Sequence, residues 1–350
     1  MSTTTGWQSL NPSSNRLTRV TIERRDLRAD DIAVRIDYCG VCHSDLHRIH
    51  GMLGEKDLVP GHEATGVVTA IGSAVTAFAP GERVAIGTVI DSCGECEMCL
   101  AGQENYCYNH PTTTYGGVDR TDGSQTKGAY SREYVLRDKF AFHLPDGLDP
   151  AAAAPLLCAG ISVWEPLRAA GVGPGSRVAI AGLGGLGHLA VKLAAALGAE
   201  VVVLSRSSAK ERDALDLGAT SLVVTTDDEQ VAAARGRFDF ILDTISADHD
   251  LSPFIGMLAL DGTLCVLGNP LLSGPRLWEL GAGRKRLTSS GTGGVRQTIE
   301  MLEFCASHDI AADVEILPSN DVETALDRLA MGDVHYRFVL DLSDLDRPAN

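Results

Sequence analysis

The chain carries, at residues 177–188, the sequence Arg177-Val-Ala-Ile-Ala-Gly-Leu-Gly-Gly-Leu-Gly-His188. A short apolar run here ends in glycines, and leucine and alanine then recur at i, i+3 and i+4 spacing through residue 197. This change of period predicts a buried strand, a tight turn and an amphipathic helix in direct succession. Gly198 is expected to end the helix in a left-handed cap.

The glycine-rich turn fits the pattern G-x-G-x-x-G through Gly182, Gly184 and Gly187, with Gly185 and Leu186 between them. In this pattern the first glycine allows a tight turn, the second lets a pyrophosphate approach the backbone, and the third lets helix and strand pack closely. Free N–H groups at the start of the helix then bind phosphate. With a strand before it and a helix after it, the turn predicts a dinucleotide site.

A second strand is predicted over 199–205, where NAD-binding proteins place an acidic residue for the ribose 2′-hydroxyl. The strand ends instead in Ser205-Arg206-Ser207, and Lys210 follows. Hydroxyls and cations bind a 2′-phosphate, and no carboxylate is present to repel it. The sequence therefore favours NADP(H), with a solvated polar turn as the alternative interpretation.

The rest of the chain divides by the type of pattern. Short β-rich segments fill residues 1–150 and predict an antiparallel, partly closed β domain, whereas strands and helices alternate after residue 150 and predict a parallel, doubly wound sheet. The 350 residues suffice for two such domains. The predicted strands are 32–38, 64–71, 83–86, 177–181, 199–205, 221–225, 238–243, 263–267, 314–317 and 336–342. Besides the helix after the glycines, the predicted helices are 210–217, 295–306 and 322–331.

Composition restricts the partners and the compartment. A formal net charge of −16 argues against nucleic acid, because neutralising phosphates needs clustered Lys and Arg. The chain shows no apolar run long enough for a membrane helix and begins with polar residues, so neither a membrane segment nor a signal peptide is expected. In the reducing cytoplasm that this implies, the nine cysteines are expected to be metal ligands or buried thiols.

Four cysteines lie within fifteen residues of one loop, as Cys93-x2-Cys96-x2-Cys99-x7-Cys107. Four thiolates complete a tetrahedral zinc shell and leave no open position, as a structural site requires. A redox Cys-x-x-Cys uses two cysteines, not four. The spacing therefore predicts structural zinc, with scattered core cysteines as the alternative.

A second candidate set is dispersed along the chain: Cys42, His62 with Glu63, and Cys158. A catalytic zinc has three protein ligands and keeps its fourth position for water or substrate. Two thiolates and one imidazole would supply such a shell, but spacing alone does not show that these residues meet.

These motifs together resemble the zinc-dependent medium-chain alcohol dehydrogenases. The resemblance rests on Gly40-Val-Cys-His-Ser-Asp-Leu-His47, Gly61-His-Glu-Ala-Thr-Gly66, the four-cysteine loop and the glycine-rich turn. Pro155-Leu-Leu-Cys-Ala-Gly160 and Ser205-Arg-Ser207 resemble the cinnamyl-alcohol-dehydrogenase-like branch, which includes bacterial NADPH-dependent aldehyde reductases. The resemblance implies a GroES-like catalytic domain (1–152 with 293–350), a Rossmann domain (153–292) and a homodimer.

The resemblance also implies roles at the catalytic metal. Cys42, His62 and Cys158 would hold the zinc, and Glu63 would be an alternate ligand or a charge beside the shell. Asp45 would orient the ligating histidine, and its alternative is an N-cap. Ser44 and His47 would carry the proton through the cofactor ribose to solvent, which makes Ser44 a cofactor-binding residue as well. An ordinary surface-helix histidine is the alternative for His47.

Further residues match positions that contact the cofactor. On the nicotinamide half these are Ser162, Thr244, Gly268, Ser290, Gly291 and Thr292. The implied cofactors are therefore NADP(H) and two zinc ions per subunit, one catalytic and one structural.

The implied activity is reversible hydride transfer between the nicotinamide and a zinc-bound aldehyde or primary alcohol. A polyol or secondary-alcohol dehydrogenase and a non-enzymatic zinc- and nucleotide-binding protein are the alternatives. One departure concerns the substrate pocket: residues 48–59 lack the aromatic side chain that relatives commonly carry there, and Trp164 stands where a smaller ring is common. Tyr115 and Met52 are candidate pocket residues.

Overall fold

The computed structural model describes residues 2–10, 14–51, 57–268 and 272–346. The chain forms two compact units, Met1–Cys158 with Gly293–Asn350, and Ala159–Thr292. The domain boundary after residue 152 stays a prediction. Among the described residues, no helix combines the length and the apolar character that crossing a membrane requires.

The first unit begins with short strands and only brief helices. A long strand of eleven residues, Asp31–Val41, lies at its centre, and three other strands pair with it directly. In chain order the strands are β1 (Ser2–Ser9), β2 (Leu17–Arg24), β3 (Asp31–Val41), β4 (Ala64–Ile71), β5 (Arg83–Ile86), β6 (Val89–Asp91), β7 (Thr112–Thr113), β8 (Glu133–Arg137) and β9 (Ala141–His143). The helices are α1 (His43–Ile49), α2 (Glu97–Leu100) and α3 (Pro150–Ala153).

The second unit alternates strands and helices, as its sequence pattern predicts. Its strands are β10 (Arg177–Ala181), β11 (Glu200–Ser205), β12 (Ser221–Val224), β13 (Phe238–Asp243), β14 (His249–Asp250), β15 (Leu258–Val266), β16 (Leu272–Ser273) and β17 (Arg286–Ser289). Its helices are α4 (Ala159–Ala169), α5 (Gly187–Ala196), α6 (Glu211–Asp216), α7 (Asp228–Ala233), α8 (Ser252–Met257) and α9 (Leu277–Gly281).

The chain then returns to the first unit and completes its sheet. The returning elements are α10 (Val295–Ser307), β18 (Val314–Pro318), α11 (Val322–Ala330) and β19 (Arg337–Asp341). They give a seven-stranded sheet with the order β18-β19-β3-β4-β5-β9, in which β8 also pairs with β3. Only the β18–β19 pair of this sheet is parallel. The predicted, mostly antiparallel β domain is confirmed.

The second unit contains a six-stranded parallel sheet with the order β12-β11-β10-β13-β15-β17. This is the order 3-2-1-4-5-6 of the dinucleotide-binding fold. The central strands read Arg177-Val-Ala-Ile-Ala181 and Glu200-Val-Val-Val-Leu-Ser205, almost entirely buried, because helices cover both faces of such a sheet. The predicted parallel α/β domain is also confirmed.

Two strand pairings of the structure have no signal in the sequence pattern. Strand β17 forms one edge of the parallel sheet, yet all four of its residues are exposed, so it lacks the apolar run that marks a buried strand. The polar N-terminal residues form β1, which pairs with β2 along its whole length. Both are exposed or half-exposed strands whose backbone pairing, rather than side-chain pattern, defines them.

Candidate active site

Three candidate metal ligands that are far apart in the sequence meet in the first unit. Sγ of Cys42, a ring nitrogen of His62 and Sγ of Cys158 lie within 4.8 Å of one another. The two sulfur atoms are 3.8 Å apart, and Nε2 of His62 is 3.1 Å from Sγ of Cys158. Zn–S bonds of about 2.3 Å in a tetrahedral shell place two sulfurs about 3.8 Å apart. The two thiols are therefore spaced to bind one zinc ion.

Each of these ligands lies where a regular element begins or ends. Cys42 directly follows β3 and is the N-cap residue of α1, His62 lies two residues before β4, and Cys158 immediately precedes α4. A hydrogen bond from Cys158 lowers the pKa of the Cys42 thiol well below its usual range, which favours the thiolate that binds metal. Three protein ligands leave one position of a tetrahedral shell for water or substrate.

Asp45 is the polar centre behind these ligands, and it is fully buried. Its Oδ1 pairs with Nδ1 of His62 at 3.1 Å and accepts the N–H of Gly61 at 3.2 Å. Its Oδ2 accepts the N–H of Cys42 at 3.0 Å and the hydroxyl of Tyr130 at 3.2 Å. A carboxylate on Nδ1 fixes the tautomer and leaves Nε2 for a metal. Asp45 thus makes both the orienting contact and the helix-capping contact that the sequence suggested as alternatives.

Glu63 lies beside His62 but outside the three-ligand group. Its Oε1 accepts a hydrogen bond from Nη2 of Arg337 on β19, and both side chains are buried. Burial raises the pKa of Glu63 to about 8, against the lowering effect of Arg337. Its role as an alternate ligand stays a prediction. The sequence pattern did not single out Arg337 as a site residue; the available signal was an arginine directly before the apolar run Phe338-Val-Leu340.

The four cysteines of the second group also converge, in the loop around α2. Cys93 and Cys99 have sulfur atoms 3.8 Å apart, and those of Cys96 and Cys107 are 4.0 Å apart. Backbone N–H groups of Glu95 and Cys96 bond to Cys93 and lower its pKa to about 6. Four sulfurs at tetrahedral spacing, with amides that stabilise thiolates, fit a closed structural zinc shell.

Removing one of these four ligands should cost zinc and stability. For Cys99→Ala we expect zinc content to fall from two ions per chain to one, because three thiolates in an exposed loop hold the metal weakly. We also expect Tm to fall by roughly 5–10 °C, the result of losing about 3 kcal/mol. Metal analysis and calorimetry measure both, with Cys305→Ala, which removes a buried cysteine of α10, as control. A zinc content that stays at two would contradict the assignment.

The glycine-rich turn of the second unit has the geometry that its pattern predicts. Gly182 has φ +88°, and a Cβ on it would lie 3.1 Å from Ile245 and Thr244. Around the position of a Cβ on Gly184 there is open space, as a backbone that receives a pyrophosphate needs. A Cβ on Gly187 would lie 2.0 Å from the carbonyl oxygen of Gly182. The third glycine therefore permits the close approach of α5 to the turn.

The residues expected at the 2′-phosphate follow β11. Arg206 and Ser207 are exposed and Ser205 is half-buried. Nζ of Lys210 donates to the carbonyl oxygen of Leu183 at 2.7 Å, so this ammonium group reaches the glycine-rich turn itself. The ammonium group of Lys210 therefore lies beside the glycine-rich turn, while its backbone follows the end of β11 by five residues.

The remaining predicted cofactor residues follow strands whose ends are level. Register pairs join Ala181 to Leu204 and to Asp243, Asp243 to Val266, and Val266 to Ser289. Since all these strands are parallel, the residues after them emerge at one edge of the sheet. Those residues include Gly182, Ser205, Thr244, Gly268, Ser290, Gly291 and Thr292. Ser162 lies on α4 and is half-buried.

The remaining predicted residues are Ser44, His47, Tyr115, Trp164 and Met52. Oγ of Ser44 is 2.9 Å from Sγ of Cys42, and His47 is exposed one turn later on α1. The buried Tyr115 has its ring centre 5.6 Å from that of His62. Trp164 is buried in the second unit. Met52 lies outside the described residues.

A three-ligand metal group, a closed four-thiol group and a dinucleotide turn in one chain are the parts of a zinc-dependent dehydrogenase. Two family models match: the alcohol dehydrogenase GroES-like domain over residues 28–146, and the zinc-binding dehydrogenase domain over 185–307. The chain belongs to the zinc-binding alcohol dehydrogenase family.

Individual relatives agree with this membership. A probable formaldehyde dehydrogenase of Bacillus subtilis is 45% identical, covering 96% of this chain and 97% of the relative. The NADP-dependent alcohol dehydrogenase C of Mycobacterium bovis is 43% identical, covering 99% and 100%. The solved structure of a cinnamyl alcohol dehydrogenase of Sorghum bicolor matches with a TM-score of 0.93 at 39% identity, covering 97% and 98%. The resemblance to the cinnamyl-alcohol-dehydrogenase-like branch is confirmed.

Proposed function

We propose that this chain is a zinc- and NADP(H)-dependent alcohol dehydrogenase that reduces aldehydes to primary alcohols and catalyses the reverse reaction. The observation that carries the proposal is the group of Cys42, His62 and Cys158, spaced for zinc and one ligand short of a full shell. When bound, zinc would polarise the substrate oxygen as a Lewis acid and NADPH would supply the hydride.

The residues of this chain would hold and tune that chemistry. The thiolates of Cys42 and Cys158 would offset the charge of a divalent ion, so the ion would bind the substrate oxygen without holding it too tightly for release. Asp45 keeps His62 in the tautomer that leaves Nε2 for the metal. Arg337 pairs with the buried Glu63, whose pKa is about 8, so that the charge of this carboxyl would be compensated when it ionises.

Proton transfer would run along α1. Ser44 and His47 are three residues apart on this helix and both are exposed, so they share one face. The hydroxyl of Ser44, close to Sγ of Cys42, is suited to pass the alcohol proton to the imidazole of His47 and then to solvent.

The cofactor choice rests on the polar end of β11. Ser205, Arg206, Ser207 and Lys210 offer hydroxyls and cations and present no carboxylate, which favours NADP(H) over NAD(H). The relative named NADP-dependent alcohol dehydrogenase C supports this choice.

The catalytic domain would comprise residues 1–152 and 293–350, and the Rossmann domain residues 153–292.

The oligomer we propose is a homodimer paired through the edge strand β17. An exposed strand edge is a template for pairing with a second copy, and Leu277 and Trp278 near it in sequence are strongly exposed apolar residues. Light scattering should return twice the chain mass of 37.0 kDa, and a single-chain mass would contradict the dimer.

All nine cysteines are free thiols, which fits a reducing cytoplasm.

The proposal is tested by initial rates of NADPH and NADH oxidation with benzaldehyde, cinnamaldehyde and a short aliphatic aldehyde. We expect rapid NADPH-dependent reduction by zinc-loaded protein, and the order of the aldehydes then describes the pocket. Absence of turnover with either cofactor, in protein that holds two zinc ions, would contradict the proposal.

Ser205→Asp should shift the preference towards NADH. A carboxylate at the end of β11 repels a 2′-phosphate and accepts a bond from a free 2′-hydroxyl. A change of about 3 kcal/mol corresponds to roughly a hundredfold change in the ratio of kcat/KM values for NADPH and NADH. Ser208→Asp, three residues further on, is the control for charge alone. If the ratio of kcat/KM values for the two cofactors is unchanged in Ser205→Asp, the end of β11 is not the 2′-phosphate site.

A further inference from the structure

In the second unit, the half-buried His249 is paired with the buried Asp243, and the proposed chemistry does not use this pair. Asp243 ends β13 and is fully buried. Its Oδ1 accepts the N–H of Ile245 at 3.0 Å, and its Oδ2 faces Nε2 of His249 at 2.9 Å. Among the described residues, His249 is the basic side chain that lies within ion-pair distance of Asp243.

Both ring nitrogens of His249 face oxygen atoms, because Nδ1 lies 2.8 Å from the carbonyl oxygen of Ala247. A neutral imidazole donates from one nitrogen only. Nδ1 must therefore donate to the carbonyl. The contact between Nε2 of His249 and Oδ2 of Asp243 is then a hydrogen bond only because one of these two atoms also carries a proton. Burial raises the pKa of Asp243, which favours retention of this proton.

The segment that this pair encloses lies on the glycine-rich turn. Oγ1 of Thr244 donates to the carbonyl oxygens of Ala181 at 2.9 Å and Gly182 at 3.2 Å. A Cβ on Gly182 would lie 3.1 Å from Cγ1 of Ile245. The position of Thr244 and Ile245 therefore fixes one wall of the turn, and Asp243 and His249 hold this segment at its two ends.

From this geometry we infer that His249, acting through Asp243, is a positioning residue for the dinucleotide: it holds residues 244–249 against the glycine-rich turn. The pair touches no reacting atom. Its effect is on cofactor affinity, because a segment that drifts away from Gly182 leaves the turn free to adopt conformations that do not fit the pyrophosphate. The inference rests on the proposed dinucleotide binding.

The test compares substitutions that separate the hydrogen bond from the packing. His249→Phe keeps a ring against Phe254, whose ring centre is 5.7 Å away, but cannot donate to Asp243. His249→Gln keeps a donor for Asp243. Fluorescence titration of the zinc-loaded proteins with NADPH, without substrate, should give a Kd about tenfold higher for His249→Phe, the effect of one lost charge-assisted hydrogen bond. We expect His249→Gln to stay within about twofold of wild type on the same basis.

Phe254→Leu is the matched control, because it loosens packing around His249 without removing a hydrogen bond. We expect it to lower Tm and to leave the Kd for NADPH unchanged. An unchanged Kd in His249→Phe, or equal weakening in the control, would overturn the inference, and so would a His249→Gln protein as weak as His249→Phe. If His249→Phe does not fold, His249→Leu makes the same comparison, because it also keeps an apolar side chain beside Phe254 and cannot form a hydrogen bond with Asp243. Wild-type protein that binds neither NADPH nor NADH would instead contradict the proposed function.

Discussion

Cys158→Ala should lose the catalytic zinc and at least about a thousandfold of the turnover rate, the equivalent of about 4 kcal/mol of transition-state stabilisation. The variant keeps Cys42 and His62 but removes one of three ligands, and the sulfur that is lost lies 3.8 Å from one of the remaining donors and 3.1 Å from the other. Two ligands hold zinc far more weakly than three. Zinc content should fall from two ions per chain to one, while the four-cysteine loop keeps its metal.

Cys39→Ala is the control for the loss of a buried thiol near this site. Cys39 lies on β3, three residues before Cys42, and is fully buried, yet it is not part of the ligand group. Metal analysis and kcat with NADPH and one aldehyde should distinguish the two variants. Full activity in Cys158→Ala, or equal zinc loss in Cys39→Ala, would refute the assigned ligand set.

Gly187→Ala should weaken NADPH binding by about a hundredfold and lower the free energy of unfolding by about 1–3 kcal/mol. The added Cβ would lie 2.0 Å from the backbone carbonyl oxygen of Gly182, so the turn or the start of α5 must move. Either movement would displace the backbone N–H groups that we expect to face the phosphates, and two lost charge-assisted hydrogen bonds would account for the hundredfold effect.

Gly256→Ala is the control, because this glycine lies in α8 of the same unit and an added Cβ meets open space. Its stability should stay equal or rise slightly, since alanine favours a helix over glycine. Fluorescence titration with NADPH and thermal unfolding measure both effects. Tight NADPH binding by Gly187→Ala would show that the turn is not the phosphate site.

Much of the fold could be predicted from short stretches of the sequence. The strands over 64–71, 83–86 and 238–243 were predicted with the bounds that the structure gives, because each combines an apolar run with flanking breakers. The predicted helix 295–306 is observed as Val295–Ser307. Exposed strands such as β17 were not predicted, because the backbone hydrogen bonds that define them leave no hydrophobic pattern in the sequence.

The chemistry of the site divides in a similar way. Ligand types, the closed four-cysteine spacing and the missing acidic residue after β11 can be read from consecutive residues, because each depends on a short stretch of chain. Contacts between residues that are far apart in the chain cannot be read in this way. The partners of Asp45 include Tyr130, and Glu63 pairs with Arg337, 274 positions away in the chain.

The sequence by itself determined the strand–turn–helix of the glycine motif, the two types of domain, and the residue types available for zinc and for a 2′-phosphate. These depend on periodicity, glycine conformation and side-chain chemistry, which act over a few residues. Only the tertiary structure decided that Cys42, His62 and Cys158 meet, that one buried carboxylate orients and caps at once, and that His249 reaches Asp243. These contacts depend on how the strands pair and pack. Polar groups that are distant in the chain become hydrogen-bond partners there, because an unpaired polar group is costly to bury.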